Sequence, residues 1–355
     1  MKRAVLVLYS DTDFGGAERR LIRIYNEIGK RNECDLLIRG CKSYQQFEER
    51  LIKADCDVSN IHEIKCVANN IQCLMYLLFH GKYDVLQYND ICGFHQLLAM
   101  LYKKTRTITI FTVAFQNYAY GIMDDKTKRK LIRLLNTSKK IDVLFPAGKK
   151  YFDEISTNKN ITVTPGTFTN IELFVPKTKE KIILFAAARL EKDKNAELLI
   201  EACNIEKENL KKYGYKVIIC GQGFEENHLR SLVAIYDISD VVEMPGYVKI
   251  SEIIPKAETF VCIDLIDNYP SQTIAEAVAC GCSLICTDVG YSRKCGSEDF
   301  SFFVKNDAQE LAHAIKSLIE KTDIEKEKIV QSARKYAIEH YSIKSSSDYF
   351  ESLME

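Results

Sequence analysis

The stretch TFVCIDLIDNYPSQTIAEAVACGCSLICT, residues 259–287, decides the fold. It opens on an apolar run, 259–263, whose β-branched and aromatic residues predict a strand buried on both faces. Asp267-Asn268-Tyr269-Pro270 is turn chemistry. A helix is expected over 271–280, starting near Pro270, which suits a first helical turn. It is small and apolar apart from Glu276. The run at 284–287 is again β-branched and reads as a second strand. Strand, helix, strand in so short a span is the unit of a parallel sheet.

Outward from there the same alternation repeats. In the second half the other strands are expected at 182–187, 216–220, 241–244 and 301–304, with helices at 196–211, 225–236 and 308–321. In the first half strands are expected at 4–8, 34–38, 84–87, 107–113, 142–145 and 161–164, with helices such as 17–30 and 126–140. This predicts an α/β protein of parallel sheets covered on both faces. Pro165-Gly166-Thr167 and the polar, aperiodic residues 175–180 break the pattern. Two doubly wound, Rossmann-like domains follow, 1–173 and 174–355, facing across a cleft, with the last helix expected to pack back on the N-terminal domain. Ligands of such sheets sit at the carboxyl ends of the strands.

Composition agrees with this reading. A chain of 355 residues is long enough for two domains. Lys+Arg 49 against Asp+Glu 49 gives a net charge of zero, so a general nucleic-acid binder is not expected. The balance hides a contrast: residues 1–170 hold 26 basic and 18 acidic residues, a difference of +8, and the remainder holds 23 and 31, a difference of −8. The opening MKRAVLVLYSD is too short for an export signal and reads as a strand. No apolar run approaches the ~18 residues of a membrane helix, and the longest, 71–79, is about half that. The 13 Cys are mostly scattered through apolar segments, without a Cys-x-x-Cys pair, and read as reduced, buried residues of a cytoplasmic protein.

Four segments carry chemistry. Phe14-Gly15-Gly16-Ala17-Glu18 follows the first strand and opens a helix, where glycines let backbone approach a ligand. It lacks the Gly-x-Gly-x-x-Gly dinucleotide fingerprint. Asp11-Thr12-Asp13, just before it, is taken as turn chemistry and not as a metal site. Arg189 and Lys194 straddle the loop after strand 182–187, where two cations can clamp a diphosphate and offset charge on a leaving group. Gly221-Gln222-Gly223 ends the next strand. Ser271, Gln272 and Thr273 offer backbone N–H groups and hydroxyls to an anion at a helix start. Glu276 is a carboxylate on a small-residue helix, where it needs a partner such as a ribose diol.

Together these four segments, in this order, resemble one family. The chain is similar to the GT-B-fold retaining glycosyltransferases of family 4, the glycosyl transferases group 1. The resemblance rests on the Gly-Gly-Ala-Glu opening at Gly15–Glu18, the Arg-x4-Lys at Arg189 and Lys194, the Gly-x-Gly at Gly221 and Gly223, and the Pro-to-Gly segment 270–281. It implies a nucleoside-diphosphate sugar donor, UDP-sugar foremost, with no cofactor and no metal. By position, Glu276 would bind the ribose, and Arg189 and Lys194 would be the catalytic cations on the diphosphate. Ser271, Gln272 and Thr273 would add phosphate contacts. Gly15, Gly16 and Gly221 would allow close approach, and Gly246 would lie near the base. Two departures stand out. The slot of the family's first glutamate falls at Asp267 or Asn268, in a segment one residue longer than usual. Ala114 stands where the family often has a His. His95, the nearest other candidate, reads as structural.

The implied acceptor is a glycan or a lipid-linked sugar, in cell-surface polysaccharide synthesis with retention of configuration. Two alternatives stay open on sequence: a sugar-nucleotide epimerase on the same fold, and a non-catalytic nucleotide-sugar-binding protein. Residues 126–140 carry seven Lys or Arg and no acid. As a helix they place Leu131, Ile132, Leu134 and Leu135 in a stripe between cations, a pattern that fits peripheral contact with an anionic membrane.

Overall fold

The structure, a computed structural model, describes residues 1–9, 16–40, 43–53, 56–80, 82–267 and 269–355, with the backbone alone at 16, 53, 116 and 188. The chain divides into two compact units. One is Met1–Gly166 with Ile343–Glu355, and the other is Thr167–Ser342.

The first unit runs β1 (Arg3–Tyr9), α1 (Gly16–Ile28), β2 (Glu33–Arg39), α2 (Tyr44–Lys53), β3 (Glu63–Val67), α3 (Asn70–Phe79), β4 (Val85–Tyr88), α4 (Gly93–Tyr102), β5 (Ile108–Val113), α5 (Gln116–Ala119), α6 (Asp125–Thr137), β6 (Lys140–Val143), α7 (Pro146–Ile155) and β7 (Ile161–Val163). Its sheet has the order β3-β2-β1-β4-β5-β6-β7, and every pairing is parallel. The strand β3 was not expected. It is the edge strand, half-exposed and charged at Glu63 and Lys65, so it lacks the continuous apolar run of an interior strand.

The second unit runs β8 (Glu180–Arg189), a 3-10 turn at Lys192–Lys194, α8 (Ala196–Ile205), α9 (Lys207–Tyr213), β9 (Lys216–Gln222), α10 (Glu226–Ile235), β10 (Val242–Gly246), α11 (Ile250–Ile253), β11 (Ala257–Cys262), α12 (Gln272–Ala279), β12 (Ser283–Thr287), a 3-10 turn at Ser292–Cys295, β13 (Ser301–Val304), α13 (Ala308–Ile319) and α14 (Asp323–His340). The sheet order is β10-β9-β8-β11-β12-β13, again wholly parallel. Each expected strand of this half is present. The expected helix 196–211 is two helices, because the backbone at Glu206 leaves the helical region. The last helix, α15 (Ile343–Met354), belongs to the first unit and packs on α1. There Tyr349 Oη donates to the buried Asp142 Oδ1 at 2.8 Å.

The helix over 126–140 does not turn its apolar stripe outward. Leu131, Leu134 and Leu135 of α6 are fully buried. The apolar stripe of 126–140 therefore faces the core, where each leucine contributes roughly 1.5–3 kcal/mol, and α6 presents a membrane with no apolar face of its own. The helix also stops at Thr137, capped by buried Ser138, and Lys140 already belongs to β6. Among the described residues no helix is long and apolar enough to cross a membrane, and the described cysteines are free.

Candidate functional site

In both sheets the order reverses beside the first strand, between β1 and β4 and between β8 and β11. Such a switch point opens a crevice at the carboxyl ends of the strands. In the second unit it is a cavity of about 240 Å³, bounded by the ends of β8 and β11, Lys194, Asp264 and residues 270–273.

Lys194 closes the 3-10 turn after β8. Its Nζ lies 2.9 Å from Asp264 Oδ1 and 3.4 Å from Asp193 Oδ2. Burial works against its charge, but the Asp264 carboxylate outweighs that and raises the Lys194 pKa above the ordinary lysine value. The ammonium is therefore charged at neutral pH. Leu265 N donates to Asp193 O at 2.9 Å, which ties the β8 loop to the β11 loop and fixes the two charges together. Asp264 is nearly buried and was not picked out from sequence. Its signal there is an acid directly after an apolar strand.

Ser271 is the N-cap of α12, and its hydroxyl accepts from Ile274 N at 3.4 Å. The helix starts at Gln272, and Pro270 precedes the cap, two residues outside the position expected for it. The N–H groups of Gln272 and Thr273 have no intrahelical partner by helix geometry. They and the helix dipole add positive potential beside Lys194. Gln272 Nε2 donates to Glu276 Oε1 at 3.2 Å, and Gln272 Oε1 accepts from Thr167 Oγ1 at 3.0 Å. This chain orients Glu276, which is half-buried one turn into the helix.

The remaining expected residues are placed differently. Arg189 ends β8 with its side chain 76% exposed and 3.2 Å from Glu191 Oε1, outside the cavity lining. Gly221 has φ +135°, and a Cβ there would lie 2.1 Å from Ala187 O. It is glycine because the ends of β8 and β9 approach that closely. Gly246 ends β10 with φ +79°. Asp267 is buried and accepts from Tyr269 N at 3.0 Å. It packs on Gly290, where a Cβ would come within 2.5 Å of the Asp267 side chain. Asn268 lies outside the described residues, as do Gly15, Asp11 and Asp13, and Gly16 is the first residue of α1.

In the first unit His95 is fully buried, stacked on Tyr88, with Nδ1 donating to Asp90 O at 2.9 Å. Burial pushes its pKa down to about 4. It is a neutral core residue.

Two doubly wound parallel sheets, one in each half of the chain, define the GT-B class of fold, and solved structures agree. Anabaena HepE in complex with UDP superposes with a TM-score of 0.77 at 16% identity, covering 98% of either chain. A TarM mutant of S. aureus in complex with fondaparinux, alpha-GlcNAc-glycerol and UDP gives 0.73 at 13% identity over 100% of either chain. Within that class, residues 167–336 match the family model of glycosyl transferases group 1. The N-acetylgalactosamine-N,N'-diacetylbacillosaminyl-diphospho-undecaprenol 4-alpha-N-acetylgalactosaminyltransferase of Campylobacter jejuni is 23% identical over 356 residues, 92% of either chain. The putative colanic acid biosynthesis glycosyltransferase WcaL of Escherichia coli is 30% identical over 181 residues, 46% of this chain and 42% of its own. The family match falls within the second unit, and the solved structures share the fold of the whole chain.

Proposed function

We propose that the protein is a retaining, family 4 glycosyltransferase that moves a sugar from a UDP-sugar to a glycan or lipid-linked acceptor in cell-surface polysaccharide synthesis. The observation that carries this reading is the protonated Lys194 beside the start of α12 at the β8/β11 switch point. A diphosphate meets the hydrogen-bond donors of that cluster, the Lys194 ammonium and the free N–H groups at the start of α12. Glu276, held by Gln272, takes the ribose hydroxyls. Arg189, exposed on the same loop, closes on the leaving diphosphate. The protein contributes positioning and charge stabilisation, with no protein nucleophile. Lys194 supplies positive charge that a metal would otherwise bring, so the reaction proceeds without one. The Campylobacter relative, matched over 92% of its length, is named for a diphospho-undecaprenol-linked sugar, which favours a lipid-linked acceptor. The free cysteines favour the reducing cytoplasm.

Incubation with UDP-, GDP- and ADP-sugars in excess chelator, with and without diphospho-lipid-linked acceptors, tests the reading. Acceptor-dependent product with the donor's anomeric configuration, read by NMR, supports it. Conversion of the donor sugar without acceptor would identify the epimerase alternative. Binding without turnover would identify the non-catalytic one, and loss of activity in chelator would overturn metal independence.

A further inference from the structure

The helices α3 and α4 contain no Asp, Glu, Lys or Arg. Each buries one face and leaves an apolar face in water. On α3 the exposed residues are Ile71, Met75, Leu78 and Phe79, spaced i, i+4, i+7, i+8, with Phe79 77% exposed. On α4 they are Leu97, Met100 and Leu101, spaced i, i+3, i+4. The two helices are neighbours, since Tyr102 Oη donates to Leu77 O at 3.4 Å. Both are crossover helices of a parallel sheet, so they run against the strands and end at the same edge. Exposed apolar helix faces of this kind mark interaction surfaces.

Charge identifies the partner. Directly after α4, at that shared edge, Lys103, Lys104 and Arg106 are all exposed, and Lys139 donates to Thr105 O beside them. Helix α6, which packs on α4, adds exposed Lys126, Arg129 and Arg133. Of the acids nearby, Glu63 faces His80 at 3.0 Å and Asp84 accepts from the Arg3 N–H at 2.9 Å, while exposed Asp124 and Asp125 sit at the other end of α6, where Asp124 caps the helix. We infer that the α3–α4 face rests on an anionic phospholipid bilayer, with Ile71, Leu78, Phe79 and Met100 among the acyl chains and the cations on the headgroups. Each helix has ten residues, about 15 Å of length, which suits lying in the interface and not crossing it. A second copy of the chain fits less well, because a twofold contact brings the same cationic rim into one interface twice. The inference does not rest on sugar transfer, and its test contains no sugar.

The test is co-sedimentation of the full chain with vesicles of phosphatidylcholine alone and of phosphatidylcholine with phosphatidylglycerol. Wild type is expected on the anionic vesicles at low salt, with binding falling as salt rises. Ile71→Gln with Phe79→Gln is expected to lose at least about tenfold in partitioning. Lys103→Glu with Lys104→Glu and Arg106→Glu is expected to lose as much and to flatten the salt dependence. These side chains are exposed, and unchanged circular dichroism melts establish that the variants fold. Absence of wild-type binding at low salt, or unchanged binding by the Ile71/Phe79 variant, would overturn the inference. So would a wild-type dimer by light scattering that this variant dissolves while neither protein binds vesicles.

Discussion

The Lys194 ammonium lies 2.9 Å from Asp264 Oδ1, and the Asp264 side chain is only 5% exposed. The pair joins the loops after the two central strands of the second sheet, so the cation that the proposed donor site needs is also part of the fold. Because the lysine pKa is raised, the stabilisation carried by the lysine's charge is fully present below the ordinary lysine pKa. It is lost only as pH rises through the higher folded value.

Lys194→Ala takes the ammonium away from the nearly buried Asp264 carboxylate, which keeps its contact from Cys262 Sγ at 3.3 Å. It is expected to lower stability by roughly 1–3 kcal/mol and to lower turnover. Arg189→Ala removes a surface pair with Glu191 and is expected to stay within about 0.5 kcal/mol of wild type while still lowering turnover. Thermal melts beside steady-state rates check both. Equal destabilisation by the two substitutions would mean that the ion pair to Asp264 is not what sets them apart.

Gly221→Ala places a methyl where Ala187 O already stands, at a φ that disfavours any side chain. Gly246→Ala meets no heavy atom closer than Gln222 Nε2 at 3.7 Å and suffers only its positive φ, about 1 kcal/mol. The first is therefore expected to be poorly expressed or strongly destabilised and the second mildly so, as denaturant midpoints will show. The reverse order would contradict the close approach of the β8 and β9 loops.

His95 gives the first unit an acid sensitivity. The unfolded chain takes up a proton near the ordinary histidine pKa of 6.5, whereas the folded chain does so only at about 4. Folding stability therefore falls as pH drops through that window, by about 3 kcal/mol at its end. His95→Phe keeps an aromatic ring against Tyr88 and is expected to flatten the acid loss in melts at pH 7 and near 4.5. NMR should find the wild-type imidazole neutral at pH 5, and a ring that titrates near 6.5 would contradict its burial.

Much of this was legible in the sequence because interior strands of parallel sheets are continuous apolar runs. The four interior strands of the second unit, β8, β9, β11 and β12, read that way. The edge strand β3 did not, since Glu63 and Lys65 face water and break the run. Ser271, Gln272 and Thr273 could be found from the apolar strand, turn and small-residue helix around them. Asp264 shows in the sequence only as an acid after an apolar strand, and what gives it a role is a lysine seventy residues earlier that only the fold brings near. The cationic run at 126–140 was legible as a helix, but which way its leucines face depends on α4 and the sheet. The exposed apolar face lies instead on α3, in the same 71–79 segment that is too short to span a bilayer.

The central claim, a nucleotide-sugar donor held at the β8/β11 switch point with Glu276 on its ribose, is tested most directly by calorimetric titration of UDP into wild type and Glu276→Ala. The account predicts that wild type binds and that the variant, with an unchanged melting temperature, loses about 1.5–3 kcal/mol of affinity, the value of a charged hydrogen bond. Equal affinity in the two proteins would contradict it.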